Sequence, residues 1–307
     1  MKINNNDIIS SGDDNYSLVS FDWSVIDKCN YNCTYCFAGF HNKNKNKSSK
    51  FHINENTHNA YIRVLKKLRL NRMPKFEVSL VGGEPTNHPE IKTIVKDLDN
   101  NDNCIDVAIV TNTYKRMSYF EELDRLNLRK LSIISSIHLE YHSQSDLEKY
   151  KSISKLKNIR YQPTIMLHDD PKYIEDIEYI LDYFTVNDIE YSVTFIEPFD
   201  AYKPRYTDKF YEAIKPYINN FEDNSYIFRT DKQEYKLTRE VINSKNYKRF
   251  KGWKCKPLLW TIDVNGEFRN ACTGEVPSLL FNNLTLQKIC PLNSCSCDIK
   301  WRFPKSK

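Results

Sequence analysis

Three cysteines that are close together near the start of the chain could bind a metal centre. Cys29, Cys33 and Cys36 form the pattern C-x3-C-x2-C in the segment DKCNYNCTYCF. Three thiolates on one loop can hold three irons of a cubane cluster, so the fourth iron has no protein ligand. An open metal position is typical of catalytic sites, whereas structural sites are closed. The alternative is a zinc site completed by His41 or a distant residue, although zinc ligands usually come in two separated sets.

Five further cysteines lie near the end of the chain, at Cys255, Cys272, Cys290, Cys295 and Cys297. The turn residues Asn265 and Gly266 separate two short apolar runs, which predicts a β-hairpin over 259–264 and 267–271. One cysteine therefore precedes the hairpin and another follows it. An iron–sulfur site and a zinc ribbon that staples the tail are both open at this point. Cys104 stands alone at the start of a predicted strand, and we expect it to be an ordinary buried thiol.

The composition excludes several classes of protein. The chain has 307 residues, with 45 basic and 40 acidic side chains and 40% hydrophobic residues, so it can bury a core and is not disordered as a whole. An odd number of cysteines and a start without an apolar signal segment argue against a disulfide framework. No run of residues is long and apolar enough to predict a membrane span. We therefore expect a soluble, cytoplasmic protein. The chain also lacks the compact aromatic and basic stripe of a nucleic-acid binder, so we expect no nucleic-acid partner.

Short apolar runs alternate with helical patterns through most of the chain. The predicted strands are 21–27, 75–81, 105–111, 131–138, 160–167 and 191–197, and the predicted helices are 58–70, 89–98, 118–126, 145–156, 173–184, 209–218 and 238–244. This alternation predicts an α/β fold with parallel strands, a partial (β/α)6 TIM-like barrel with its chemistry at the carboxyl ends of the strands. We expect this barrel in residues 1–200, a connecting helical region in 201–251 and a small Cys-rich β-hairpin domain in 252–307.

The cysteine loop, with Tyr35 before its last cysteine, resembles the signature of the radical SAM superfamily. Other segments that are similar to this family end later predicted strands, namely Gly82, Gly83 and Glu84 of a GGEP sequence, Thr111 and Asn112, Ser135 or Ser136, and Glu197. Two glycines let the backbone approach a ligand closely. The resemblance implies that these segments contact S-adenosylmethionine, with the GGEP segment at its amino group and Glu197 on the adenine side.

The resemblance also implies the reaction. A [4Fe–4S] cluster on Cys29, Cys33 and Cys36 would bind S-adenosylmethionine through its open iron. One electron, supplied from outside by flavodoxin or ferredoxin, would then cleave it to methionine and a 5′-deoxyadenosyl radical. That radical abstracts hydrogen from an unactivated C–H bond, while the protein positions the substrate and excludes water.

The tail cysteines resemble the SPASM/twitch extensions of the same superfamily, which bind auxiliary clusters. Five cysteines are too few for the two-cluster form, so the resemblance implies one auxiliary [4Fe–4S] cluster, with Cys255, Cys272, Cys290 and one of Cys295 or Cys297 as ligands. It also implies oxidation of a substrate carbon or a new bond there. We expect a small polar metabolite such as a sugar or aminocyclitol, since little chain precedes the first strand to form a leader-peptide domain. A peptide- or protein-modifying enzyme is the alternative, and a structural zinc protein that binds nucleic acid is a remote one.

A second polar pattern follows the fourth predicted strand. His138, Glu140 and His142 have the spacing H-x-E-x-H, so on a continuing strand all three would face one side. Substrate contact and ordinary hydrogen bonding at the barrel rim are both open for them. His168 and Asp169 follow the fifth strand and could contact the substrate by their position alone.

Overall fold

A computed structural model describes residues 7–36, 55–70, 73–196, 202–218, 226–237, 241–242, 245–278, 283–295 and 302–307. Three residues that the sequence analysis singled out lie outside these ranges, namely His41, Glu197 and Cys297. Most of the predicted helix 238–244 also lies outside them. In the described part of the chain, no helix is long and apolar enough to cross a membrane.

A sheet of parallel strands forms the centre of the molecule, as the sequence predicts. Six neighbouring strands run in chain order: β2 (Val19–Ile26), β3 (Phe76–Gly82), β4 (Cys104–Thr111), β5 (Leu131–His138), β6 (Arg160–Leu167) and β7 (Ser192–Phe195). The helices that follow these strands are α1 (Glu55–Leu68), α2 (Ile91–Asp99), α3 (Met117–Asp124), α4 (Asp146–Ser154), α5 (Ile174–Val186) and α6 (Asp208–Ile218). The mixed α/β fold is confirmed, and this strand order is that of a partial (β/α)6 barrel.

The helices pack on one face of the sheet because each carries a narrow apolar stripe. In α2, the buried residues Ile91, Ile94, Val95 and Leu98 recur at helical spacing. They join one hydrophobic core with strand residues such as Phe21, which is fully buried. Burial of this stripe is what fixes each helix against the sheet.

The opposite, inner face of the sheet is polar, and this follows from the register of the strands. Residues that pair across β2 to β7 share a face. On the face away from the helices, most residues are polar: Ser20, Asp22, Ser24, Glu77, Ser79, Asp106, Ser132, Ser136, His138, Arg160, Gln162, Thr164, Ser192 and Thr194. Most of these side chains are half-buried or exposed, whereas their neighbours on the helix-covered face are buried. The inner face is therefore not a packed apolar core.

The C-terminal hairpin differs in position from the prediction. Its strands β11 (Leu259–Ile262) and β12 (Phe268–Asn270) pair with each other, but β11 also pairs in parallel with β2. The hairpin thus extends the central sheet. The prediction placed it in a separate C-terminal domain. The physical reason is its apolar content, since Trp260 and Ile262 are buried against the barrel core.

A second sheet was not predicted from the sequence. Its six strands lie in the order β13 (Lys288–Ile289), β10 (Lys254–Cys255), β14 (Lys305–Ser306), β1 (Ile8–Ser11), β8 (Tyr226–Thr230) and β9 (Glu234–Leu237). Several of these strands have only two residues, which is too short for an alternating pattern to be recognised. This sheet combines the start of the chain, the connecting region and the tail.

The two groups of cysteines lie towards opposite ends of the central sheet. β11 runs parallel to β2 with Leu259 opposite Ser20, so Cys255 lies near the amino end of β2. Cys29 lies beyond its carboxyl end at Ile26. The strand from Ser20 to Ile26 alone spans about 20 Å at roughly 3.3 Å per residue. The cysteine loop is therefore on the side of the sheet where such barrels place their chemistry.

Candidate functional site

The three cysteines of the first group lie on one loop directly after β2. Cys33 is buried, and Cys29 and Cys36 are half-buried. The backbone N–H of Tyr31 donates to Cys29 Sγ at 3.4 Å, and the N–H of Cys36 donates to the carbonyl of Cys33 at 3.2 Å. These hydrogen bonds close the loop into tight turns that hold the thiols near each other.

The electrostatics of these thiols test whether they fit a cluster. Burial, together with the charges of the nearby Glu84 and Cys36, raises the pKa of Cys29 to about 11, although the hydrogen bond from Tyr31 opposes the shift. Burial also raises the pKa of Cys33, followed by the charges of Glu140, Cys29 and Cys36. The three thiols are thus within electrostatic range of one another, and a positively charged metal centre would reverse these shifts.

The arrangement does not favour a single zinc ion. Among the described residues, no group of three or more His, Cys, Asp or Glu side chains converges on one metal position. Zinc requires such convergence, since its thiolate ligands all lie about 2.3 Å from one ion. The thiolates of a cubane each bind a different iron and are held further apart. Three thiols on one loop suit the three protein-bound irons of a [4Fe–4S] cluster.

A turn after β5 holds the cysteine loop from outside. Glu140 accepts a hydrogen bond from the backbone N–H of Thr34 at 3.0 Å and another from the Thr34 hydroxyl. The hydroxyl of Tyr141 accepts from the N–H of Asn32 at 2.7 Å, and the Tyr141 ring stacks on Tyr31 with centroids 4.1 Å apart. This turn therefore fixes the loop through both its backbone and its side chains.

The H-x-E-x-H residues do not share one face, because β5 ends at His138 and residues 139–141 form a turn. Oε1 of Glu140 is 3.4 Å from Nε2 of His168. Burial acts to raise the pKa of Glu140, but the hydrogen bonds from His168 and Thr34 lower this pKa below its ordinary value. His142 packs instead against the ring of Tyr150 at 6.0 Å. The prediction of a common face is wrong, and Glu140 serves the cysteine loop.

Tyr35 links the cysteine loop to the inner face of the sheet. Its hydroxyl is 2.8 Å from Nδ1 of His138, and burial lowers the pKa of His138 to about 4, so this imidazole is neutral at pH 7. Cys33, Tyr35 and Ile196 form a small buried apolar cluster, with Met166 and Tyr202 packed against it. Water is thereby kept from one side of the cysteine loop.

The two glycines of the GGEP sequence are required by the protein itself. A Cβ on Gly82 would lie 2.1 Å from the carbonyl oxygen of Ile26, and a Cβ on Gly83 would lie 2.0 Å from that of Lys28. The N–H of Gly83 donates to the Ile26 carbonyl, and the N–H of Glu84 donates to the Lys28 carbonyl, both at 2.8 Å. The sequence analysis expected the two glycines to let the backbone approach a ligand closely. In the structure they let it approach the backbone that enters the cysteine loop.

Glu84 is fully buried, and its carboxylate is bonded within the protein. Oε1 accepts from the N–H of Thr86 at 3.0 Å and from the hydroxyls of Thr86 and Thr111 at 2.5 and 2.6 Å. Oε2 accepts from the N–H of Asn112 at 2.8 Å. Burial raises the pKa of Glu84, and these donors oppose the shift. The side chain therefore ties the GGEP segment to the end of β4, and only the backbone here faces the loop.

The remaining predicted contacts divide into two groups. Asn112 reaches the cysteine loop, since its Nδ2 donates to Asn30 Oδ1 at 3.1 Å and lies 3.9 Å from Cys29 Sγ. Ser136 shares the inner face with His138. Thr111 and Ser135 are buried, and the Ser135 hydroxyl is paired with Thr113 at 2.9 Å. That these residues contact S-adenosylmethionine stays a prediction.

Four of the five tail cysteines line one cavity. Cys255, Cys272, Cys290 and Cys295 line this cavity together with Lys288 and Lys305. Burial raises the pKa of Cys255 to about 11, while the charge of Lys305 opposes the shift and the thiols of Cys272 and Cys290 add to it. That these cysteines bind an auxiliary cluster stays a prediction, and a zinc site stays its alternative.

The comparison with known families bears on the first site. Residues 23–135 match the radical SAM superfamily, and the match includes the cysteine loop, the GGEP segment, the end of β4 and the first part of β5. The segment that carries the cysteine loop is thus similar to this superfamily over 113 of the 307 residues. Its expected cofactors, a [4Fe–4S] cluster and S-adenosylmethionine, are those of this superfamily. The predicted resemblance is confirmed over these residues.

Curated relatives match only part of this chain. A GTP 3′,8-cyclase from Haemophilus influenzae is 24% identical over 134 residues, and one from Microcystis aeruginosa is 30% identical over 123 residues. The matches cover 43% and 36% of this chain, and the chain spans 38% and 32% of those proteins. A solved structure titled anSMEcpe with bound AdoMet has a TM-score of 0.53 and 16% identity over 83% of this chain and 71% of that chain. This last likeness shows the fold alone.

Two features of the sites were missed by sequence reasoning. The polar inner face arises from strand register, which the sequence signals only as alternation within each strand. Lys305 enters the tail cavity because its two-residue strand pairs with that of Cys255. A lysine in a basic C-terminal segment carries no sign of burial, so no sequence signal could have identified it.

Proposed function

We propose that this protein is a radical SAM enzyme that modifies a small polar metabolite with hydroxyl or amino groups, such as a sugar or aminocyclitol. The cluster on Cys29, Cys33 and Cys36, with S-adenosylmethionine, supplies a 5′-deoxyadenosyl radical that abstracts hydrogen from a substrate C–H bond. A second cluster in the tail cavity makes net oxidation, or a new bond at the same carbon, the favoured outcome. An external one-electron reductant, flavodoxin or ferredoxin, supplies the electron.

The observation that carries the substrate class is the polar inner face of the sheet. Its serine and threonine hydroxyls lie on the strands below the cysteine loop. Its ionic groups are the carboxylates of Asp22, Glu77 and Asp106 and the guanidinium of Arg160. Arg160 pairs with Asp106, so the described strands leave this face acidic. Such a face favours neutral or cationic polar molecules and disfavours polyphosphates.

The residues around the cysteine loop support this chemistry by fixing the positions of the loop and of the GGEP segment. Glu140 and Tyr141 fix the loop, and Glu84 fixes the GGEP segment against it. Asn112 and Ser136 are placed to bind polar groups of a ligand at the carboxyl edge of the strands. The apolar cluster around Cys33 and Tyr35 excludes water on one side, which protects a reactive intermediate from stray hydrogen donors.

The first experiment measures 5′-deoxyadenosine. Anaerobically reconstituted protein is incubated with S-adenosylmethionine and dithionite, beside the triple variant Cys29/Cys33/Cys36→Ala and the control Cys104→Ala. The wild type and the control should form 5′-deoxyadenosine, and the triple variant should form none. Absence of the product from wild-type protein that is fully loaded with iron would exclude the proposed activity.

The second experiment tests the substrate class. Sugars, aminocyclitols, nucleosides and short peptides are compared for their ability to stimulate 5′-deoxyadenosine formation. Thr164→Val removes an inner-face hydroxyl, and Ile165→Val is its control on the helix-covered face of the same strand. Stimulation by a small polar compound should fall about tenfold in Thr164→Val, as for loss of one hydrogen bond of about 1.4 kcal/mol, and stay unchanged in the control. Stimulation by peptides alone would favour the peptide-modifying alternative.

A further inference from the structure

Two lysines flank one of the tail cysteines. In the second sheet, Cys255 of β10 is opposite Lys288 of β13 on one side and Lys305 of β14 on the other. Residues directly opposite each other in antiparallel strands point to the same face, with Cβ atoms about 4.5–5.5 Å apart. Both lysines accordingly line the cavity that holds the four described tail cysteines.

The two lysines differ in their exposure to water. The side chain of Lys288 is 32% exposed, and its Nζ is 3.2 Å from Oε1 of Glu275, so water and a carboxylate both screen its charge. Lys305 is only 3% exposed. Its Nζ donates to the carbonyl of Phe303 at 2.9 Å and lies 5.0 Å from the centroid of the Phe250 ring. Water therefore screens the charge of Lys305 less than that of Lys288.

Burial of the Lys305 ammonium group costs free energy, and this cost indicates that the group has a function in the cavity. Transfer of an ammonium ion out of water costs several kcal/mol even after the protein relaxes. Burial lowers the pKa of Lys305, whereas negative charge on the four tail thiols raises it. A thiolate-ligated cluster in the cavity carries the negative charge that makes this position favourable for a lysine.

We propose that Lys305 raises the reduction potential of the auxiliary cluster in the tail cavity, and that Lys288 contributes little. Reduction adds one negative charge to a cluster, and a nearby buried positive charge stabilises the reduced form. The inference rests on the proposed function, because it requires a cluster on Cys255, Cys272 and Cys290.

The test isolates the tail cluster in the full chain. The Cys29/Cys33/Cys36→Ala variant is reconstituted anaerobically and titrated with dithionite, which donates the electron, while EPR spectra report the reduced cluster. Lys305→Met removes the charge but fills the same space, and Lys305→Arg keeps the charge. Lys288→Met is the matched control on the other side of Cys255. Iron content and circular dichroism establish that each variant is folded and loaded.

We expect Lys305→Met to have a clearly lower midpoint potential than its parent, with Lys305→Arg close to the parent. The shift in Lys288→Met should be several-fold smaller. Equal shifts in Lys305→Met and Lys288→Met, at full iron content, would overturn the inference and leave the auxiliary cluster in place. If Lys305→Met does not bind iron, Lys305→Gln is used instead. A midpoint potential of Lys305→Arg as low as that of Lys305→Gln would then overturn the inference. No iron in the parent triple variant would refute the auxiliary cluster itself, and the inference with it.

Discussion

The two groups of cysteines are built in different ways. The first lies on one loop between residues 29 and 36, and neighbouring backbone groups hold it. The second is drawn from residues 255 to 295 and depends on the pairing of short strands with each other. Cys255, Cys290 and Cys295 also belong to the main hydrophobic core, whereas Cys33 lies in a small separate cluster. The first site is thus a local motif on a scaffold, and the second is part of the scaffold.

Their electrostatic surroundings also differ in sign. The carboxylates of Glu84 and Glu140 act on the first group of thiols, whereas the ammonium of Lys305 acts on the second. Negative surroundings disfavour the addition of an electron, and positive surroundings favour it. We therefore expect the first cluster to be the stronger reductant and the tail cluster to be the better electron acceptor.

The largest effect should come from removal of the first group. Cys29/Cys33/Cys36→Ala should abolish cleavage of S-adenosylmethionine and lower the iron content from about eight to about four atoms per chain. The remaining iron would belong to the tail, because the two sites share no ligand. Product analysis and iron determination check this, with Cys104→Ala as the control. A fall to no iron at all would mean that the tail binds none.

Removal of one tail cysteine should give the reverse pattern. Cys255→Ser should lower the iron content to about four while cleavage of S-adenosylmethionine without substrate continues. It should also destabilise the protein, since Cys255 is 5% exposed and lies in the main core. Thermal unfolding and 5′-deoxyadenosine measurements report the two effects separately. If cleavage stops although four irons remain, the sites are not independent.

A smaller contrast comes from two glycines that each lie near one cysteine group. Gly83→Ala should cost about 1–3 kcal/mol or more and impair loading of the first cluster, because the new Cβ meets the Lys28 carbonyl at 2.0 Å and the Cys29 nitrogen at 2.8 Å. Gly274 lies two residues after Cys272, and a Cβ there meets nothing within 4 Å. Gly274→Ala should cost only the roughly 1–2 kcal/mol of its positive φ and leave tail iron unchanged. Chemical denaturation and iron determination on both variants would show whether loss follows the steric clash.

The smallest effect should come from the buried carboxylate that braces the first site. Glu84→Gln places an amide N–H₂ against backbone or hydroxyl donors, so we expect a loss of about 1–3 kcal/mol in the free energy of unfolding. Glu77→Gln is the control, since Glu77 is half-buried and accepts only the Ser20 hydroxyl at 2.6 Å among the hydrogen bonds described for it. Urea denaturation of the two variants gives the comparison, and an equal loss in both would argue against a special role for Glu84.

Local patterns in the sequence predicted the parallel strands well. Strand β5 has the predicted bounds, 131–138, and its residues alternate between buried and half-buried along its whole length. The cysteine loop was recognisable because its ligands are adjacent in sequence. The second sheet was not, since strands such as Lys254–Cys255 are stabilised by partners that are remote in sequence. The role of Glu84 could not be predicted either, because it depends on where Thr111 and Asn112 lie in space.

Strand β2 connects the two cysteine sites, and its pairing on both sides restricts how their separation can change in evolution. One inserted or deleted residue within it would turn every later side chain to the opposite face, moving Phe21 or Trp23 out of the core and polar residues into it. Changes of chain length within β2 are therefore disfavoured. The separation of the two cysteine groups is set by the length of this strand, and substitutions can alter only the charge and packing around each group.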